Sequence, residues 1–198
     1  MTDILVVTKN EGKLKEIVNI YKDTNIRFKT LKELPEINIE ETGKSFFENA
    51  FIKAKIAAKK FNMVSLGEDS GLCVDALNGA PGIYSRRFAG EDATDDDNNR
   101  LLLERLKGVP FEKRAAYFIS TVVLMNPDSE YIWAEGRIEG YITQEPRGNN
   151  GFGYDPLFYL PQYNKTFAEL SDNEKNQISH RKKALENLKA QLKDFLKL

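Results

Sequence analysis

The sequence predicts an α/β fold built on a mixed sheet, and three patterns carry that prediction. It opens with an all-apolar strand, a polar turn and an amphipathic helix, the start of a parallel crossover. From Ala115 to Tyr159 it turns to β-branched and aromatic residues around a hairpin signal. It closes on a helix whose leucines share one face.

Taken in order, Ile4-Leu5-Val6-Val7 has no polar alternation, the pattern of a strand covered on both faces. After the polar turn Thr8-Lys9-Asn10-Glu11-Gly12, Leu14, Ile17, Val18 and Tyr21 recur at helical spacing. Arg27 to Leu31 is a weaker second strand. Ser45 with Glu48 is a capping-box signature, and Phe47, Ala50, Phe51, Ala54, Ala58 and Phe61 form the buried stripe of the helix it starts. Met63 to Leu66 and Leu72 to Ala76 read as two strands flanking a Gly67-Glu68-Asp69-Ser70-Gly71 turn. Gly79-Ala80-Pro81-Gly82 is a second turn by its dihedral demands. Thr94 with Asp97 caps a helix carrying Leu102, Leu103 and Leu106, and Asp95, Asp96 and Asp97 read as a capping or solvated acidic turn. Asn126-Pro127-Asp128-Ser129 joins two hairpin strands, 116–125 and 130–137. The last helix follows His180 and aligns Leu185, Leu188, Leu192, Phe195 and Leu196. No repeat, low-complexity tract or linker divides the chain, so residues 1–198 read as a single domain.

Composition narrows the function classes. Twenty-nine Lys and Arg against thirty Asp and Glu leave a formal charge of −1. That balance argues against direct nucleic-acid binding or membrane adhesion, while permitting a local basic pocket. Cys73 is the single cysteine and His180 the single histidine, which excludes a disulfide framework, a multi-cysteine zinc site and a histidine-rich metal centre. No apolar run approaches the ~20 residues of a bilayer span, and no signal-peptide pattern opens the sequence, so the expected address is cytoplasmic.

Four segments hold candidate chemistry. Thr8, Asn10 and Lys13 lie between a buried strand and a helix, where backbone N–H groups and a lysine favour an anion. A phosphate cradle and a plain turn with a solvated lysine both fit these residues; the P-loop spacing is missing. Glu40 and Glu41 precede the Ser45 helix, which carries Lys53. Glu68 and Asp69 follow an apolar strand, where α/β folds present ligand-binding groups. Carboxylates from two separate loops suit a hard cation such as Mg2+, though a self-bonded Asp-Ser-Gly turn also fits. Gly151-Phe152-Gly153-Tyr154-Asp155-Pro156 offers either aromatics that stack on a base or a tight bend with core aromatics. Lys175, Ser179, His180, Arg181, Lys182 and Lys183 cluster before the last helix, a solvated face or a set of donors for a purine carbonyl.

In this order the segments resemble the inosine/xanthosine triphosphate pyrophosphatase family over essentially the full length. The likeness rests on Thr8-x-Asn10-x-x-Lys13, Glu40-Glu41-Thr42-Gly43 with 46–54, and Glu68-Asp69-Ser70-Gly71-Leu72. It continues through Gly79-Ala80-Pro81-Gly82-Ile83-Tyr84-Ser85, the 151–156 segment, and Lys175 with Ile178-Ser179-His180-Arg181-x-x-Ala184. Two positions depart from it: Lys9 stands where the family often has Gly, and Glu68 where an aspartate is common.

The resemblance implies an elongated α/β subunit, a central mixed sheet flanked by helices, two lobes with a cleft between them, and a homodimer. It implies Mg2+-dependent hydrolysis of nonstandard purine nucleoside triphosphates (ITP, dITP, XTP) to monophosphate and pyrophosphate, clearing them from the nucleotide pool. Carried over by position, Thr8, Lys9, Asn10, Glu11, Gly12, Lys13 and Lys53 would hold the triphosphate, and Ser70 would bond nearby oxygens. Glu41, Glu68 and Asp69 would hold the metal, with Asp69 also activating water. Phe152 would stack on the purine beside Gly153, Tyr154 and Asp155, while Lys175, His180 and Arg181 would face its six-position oxygen. A related family that cleaves modified pyrimidine triphosphates shares the opening strand and helix, but the Ser179-His180-Arg181 segment argues against it. A non-catalytic nucleotide sensor has no need of Asp69, Glu41 and Lys13 together.

Overall fold

A strand with no polar face needs a cover on each side. In the computed structural model, which describes residues 2–21 and 25–196, β1 (Thr2–Val7) has both. Ile4 and Val6 pack with Ile17 and Tyr21, from α1 (Glu11–Ile20) and its C-cap, and with Leu185, Leu188 and Leu192 of α5 (His180–Leu196). Leu5 and Val7 face the other way, onto Ala57 of α2 (Phe46–Phe61). The two-residue period of a strand thus feeds two separate helix layers. β2 (Ile26–Thr30) pairs with β1 in parallel, completing a strand–helix–strand crossover.

The sheet has seven strands in the order β2-β1-β3-β4-β5-β6-β7. β3 (Ser65–Val74) runs parallel to β1, while β6 (Phe158–Leu160) is antiparallel to both β5 (Tyr131–Ile142) and β7 (Lys165–Thr166). β4 (Ala115–Met125) joins β5 through the expected turn, where Ser129 N–H donates to the Asn126 carbonyl. The result is a mixed sheet flanked by helices, as the patterning predicts.

One expectation is corrected. The two strands read on either side of Gly67–Gly71 are a single strand, and Glu68 and Asp69 lie within it, both buried. Gly67 is there for closeness rather than for a turn: a Cβ would stand 2.1 Å from the Ala50 carbonyl oxygen of α2. The alanines Ala50, Ala54 and Ala58 on the facing side of α2 complete that tight approach.

Helix starts follow their caps. Asn10 accepts from Lys13 N–H, so α1 begins at Glu11, inside the stretch read as turn. Ser45 caps α2 by accepting from Glu48 N–H, but the Glu48 carboxylate takes the N–H of Lys44 instead of closing the box. Thr94 and Asp97 form a full box at α3 (Asp95–Arg105). A short α4 (Asp172–Ile178), not anticipated, starts from a box of Ser171 and Glu174. No helix among the described residues is long and apolar enough to cross a membrane.

The chain forms two compact units, residues 1–69, 120–136 and 180–198, and residues 70–119 and 137–179. The division falls inside β3, β4 and β5, which is why no linker composition marks it. The first unit holds the layers on β1. The second is centred on Leu72, Val74, Leu102, Leu106, Leu157 and an aromatic group in which Phe118 and Phe158 meet edge to face at 4.7 Å.

Candidate active site

Neighbouring residues on a strand point to opposite faces, and the contacts of Glu68 and Asp69 obey that rule. Glu68 meets α1, β4 and α5. Its Oε2 accepts from Lys13 Nζ at 2.8 Å, and its Oε1 accepts from Ser120 Oγ at 2.9 Å and Arg181 Nε at 3.1 Å. Arg181 also pairs with Glu16 and is only 1% exposed. Burial opposes a charge on Glu68, but Lys13 and Arg181, with Lys53, outweigh it and hold the carboxyl well below its usual range.

Asp69 meets α2. Its Oδ2 accepts from Asn49 Nδ2 at 3.1 Å and its Oδ1 from Lys53 Nζ at 3.4 Å. Lys53 also donates to Glu41 Oε1 at 3.0 Å, so two carboxylates from separate segments share one ammonium. Asn49 accepts the N–H of Gly43 at 2.8 Å, which ties the Glu41 segment to Asp69 through one side chain. Burial raises the Asp69 carboxyl, and Lys53 and Lys13 oppose the rise without cancelling it. Burial disfavours the charge on Lys53, but Asp69, Glu41 and Glu68 overcome it and keep the amine protonated.

These contacts place the three carboxylates expected to hold a metal. Among the described residues no group of three His, Cys, Asp or Glu side chains is gathered for a metal. Glu41 and Asp69 converge on Lys53, and the oxygens of Glu68 meet Lys13, Ser120 and Arg181. A pair of carboxylates around one cation is the hard-oxygen chemistry that Mg2+ accepts alongside water and phosphate oxygens. The carboxylate oxygens of Glu41, Glu68 and Asp69 fit Mg2+ by their chemistry.

The phosphate-side residues sit at the start of α1. Asn10 N–H donates to Thr8 Oγ1 at 3.1 Å and Asn10 Oδ1 accepts from Lys13 N–H at 3.0 Å, a compact cap that sets Lys13 in the first turn. Lys9 is exposed, Glu11 pairs with Lys32 at 2.6 Å, and Gly12 follows within the helix.

In the second unit, Lys175 on α4 donates to Asp155 Oδ2 at 2.6 Å and lies 4.5 Å from the Phe152 ring centroid. Phe152 N–H donates to the same carboxylate oxygen at 2.9 Å. Gly151 has φ +78°, and a Cβ there would strike Asp155 Oδ2 at 2.0 Å, so this bend admits glycine alone. Tyr154 is buried, and its hydroxyl donates to the Ser85 carbonyl at 2.8 Å. Phe152, Gly153, Asp155 and Lys175 are thereby brought together, and Ser70, in β3, is partly exposed. His180 belongs to the first unit, buried at the start of α5 next to Arg181. Arg181 beside it directs Nε to Glu68 and Nη1 to Glu16, the carboxylate partners that a buried guanidinium requires.

Sequence reading missed Asn49, Ser120 and Glu16. Asn49 left a signal, since it precedes Lys53 by one helical turn and interrupts an apolar stripe. Ser120 lies in an apolar strand and nothing local marks it.

The Ham1 family model matches residues 4–191. The chain is 48% identical over 204 residues to a protein named dITP/XTP pyrophosphatase from Clostridium perfringens, covering 100% of both. It is 47% identical to one of the same name from Halalkalibacterium halodurans, over 95% of this chain and 97% of the relative. Its structure is similar to that of a HAM1 protein from Coxiella burnetii, with a TM-score of 0.88, 44% identity, and 98% and 100% of the two chains covered. It is also similar to the Ham1 protein of Staphylococcus aureus, at TM-score 0.87 and 41% identity, covering 98% and 99%.

Proposed function

Because the chain belongs to the Ham1 family, we propose that it hydrolyses the nonstandard purine nucleoside triphosphates ITP, dITP and XTP to monophosphate and pyrophosphate with Mg2+. The observation that carries this reading is the convergence of Glu41 and Asp69 on Lys53. Full-length likeness to curated dITP/XTP pyrophosphatases supports the choice of substrate.

Asp69 accepts a proton from water as the water oxygen bonds to the α-phosphorus. The bond from that phosphorus to the α–β bridging oxygen breaks, and pyrophosphate leaves with the bridging oxygen. Burial raises the proton affinity of Asp69, which suits a base working in near-neutral solution. Lys13, Lys53 and the Thr8–Lys13 cap, with exposed Lys9, take the tail, whose charge of about −4 calls for several cations. Glu41 and Asp69, with Glu68, would hold Mg2+, which would supply charge neutralisation for the phosphates. Glu68 holds Lys13 in register, and Ser70 donates to substrate oxygens.

At the base end Phe152 stacks on the purine, beside Gly153, Tyr154 and Asp155, and Lys175, His180 and Arg181 face the six-oxo group. Adenine would set its amino group against these donors, a mismatch that discriminates strongly in a buried site. The enzyme works as a cytoplasmic homodimer, clearing these nucleotides before they enter nucleic acid.

Incubation with ITP, XTP, ATP, GTP and modified pyrimidine triphosphates plus Mg2+ tests the reading. ITP and XTP should give monophosphate and pyrophosphate, with ATP slower by at least about a hundredfold. Preferential cleavage of the pyrimidines, or binding of ITP without turnover, would overturn it.

A further inference from the structure

The acidic run at the start of α3 divides its labour. Asp97 closes the capping box with Thr94, and Asp96 is exposed. Asp95 Oδ2 instead accepts the N–H of Gly153 at 2.6 Å. One turn further on, Asn99 Nδ2 donates to the carbonyl of the same glycine at 2.9 Å. Residues four apart share a helix face, so α3 grips Gly153 on its N–H and its C=O together. Asn99 Oδ1 is buried without a hydrogen-bond partner among the described residues. That asparagine thus bears a desolvation cost for a single donated bond, and the bond falls on Gly153.

Phe152, the residue before this glycine, has its N–H on Asp155 and its ring against Lys175. Its backbone is therefore fixed from within the loop, and the peptide that follows is fixed by α3. We propose that Asp95 and Asn99 are positioning residues for the base platform, setting the plane of Phe152 through Gly153; this rests on the reading of Phe152 as the purine-stacking residue. Asn98, between them, anchors α3 at the other end of the grip: it accepts from Ala89 N–H at 2.8 Å and donates to the Arg86 carbonyl at 3.0 Å. The helix is a fixed support for the loop, and Asp95 is exposed enough for substitution to spare the fold.

The test is a cycle on the full chain with ITP and Mg2+. Asp95→Ala should raise KM about tenfold with kcat within about twofold, the loss of one charge-assisted hydrogen bond. Asp95→Asn, which keeps an acceptor, should restore most of the wild-type KM. In a Phe152→Ala background, Asp95→Ala should change KM by less than about twofold. An equal rise in both backgrounds would overturn action through Phe152. In ligand-free protein, amide exchange at Gly153 should quicken by about tenfold or more in Asp95→Ala; unchanged exchange would overturn the grip itself. If wild-type protein leaves ITP intact, the proposed reaction falls, and the exchange measurement still judges the grip.

Discussion

Glu68 and Asp69 are adjacent carboxylates on one strand, and their surroundings push them in opposite directions. Glu68 is driven down by Lys13 and Arg181 against the penalty of burial, and Asp69 is driven up because burial exceeds what Lys53 and Lys13 return. Two acids with separated proton affinities are suited to two jobs, a permanent anion and a base. Replacing each by its amide separates these jobs. Glu68→Gln strands Arg181 and Lys13 beside a neutral group, with an expected loss of about 3–5 kcal/mol of stability at neutral pH. Its folded pKa lies below the unfolded value of 4.5, so the ionic contribution is complete above about 4.5 and lost as pH falls beneath it. The gap in stability between wild type and Glu68→Gln should therefore close in acid, and a gap of constant size across that range would contradict the assignment. Asp69→Asn should keep the fold and lose turnover by about 10²–10⁴-fold, the usual worth of a positioned base; near-normal turnover would remove Asp69 from its role.

At the scale of elements, the packing of α2 on β3 brings Asn49 and Lys53 to Asp69. That contact depends on Gly67, where a Cβ would meet the Ala50 oxygen at 2.1 Å and Ala54 N at 2.8 Å. Gly67→Ala should push the helix off the strand, costing about 1–3 kcal/mol by thermal unfolding and lowering ITP turnover in parallel. Retained stability with full turnover would show that the close approach is dispensable. The same glycine explains the misread strand, because Gly67 and Gly71 around two acids imitate a turn when the helix that needs Gly67 is not visible. β1, α2, α3, the hairpin and α5 were legible from periodicity and caps. Ser171 with Glu174 repeats the capping pattern that marked Thr94, so α4 was within reach of the same reasoning. The pairs Lys175–Asp155 and Arg181–Glu68 were not, since each joins distant residues that no local pattern couples.

At the scale of the molecule, the charge balance conceals where the charges go. A formal net charge of −1 over 59 ionic residues, 29 basic and 30 acidic, looks like an ordinary solvated surface. In the first unit, however, Lys13, Glu68, Arg181 and Glu16 are drawn inward into one chain of ion pairs, and Lys53 pairs separately with Asp69 and Glu41. Such a set is expensive to bury and is held only by mutual compensation, which is the electrostatic setting a polyanionic substrate and its cation would exchange into. The family resemblance supplied the roles of Glu41, Glu68 and Asp69, which no local pattern in the sequence distinguishes. The proposed reaction has water entering at the α-phosphorus with Asp69 as its base. Hydrolysis of ITP in 18O-labelled water, with products resolved by phosphorus NMR and mass spectrometry, tests it most directly. The label should appear in IMP with the pyrophosphate unlabelled; label in pyrophosphate, or release of orthophosphate with IDP, would contradict attack at the α-phosphorus.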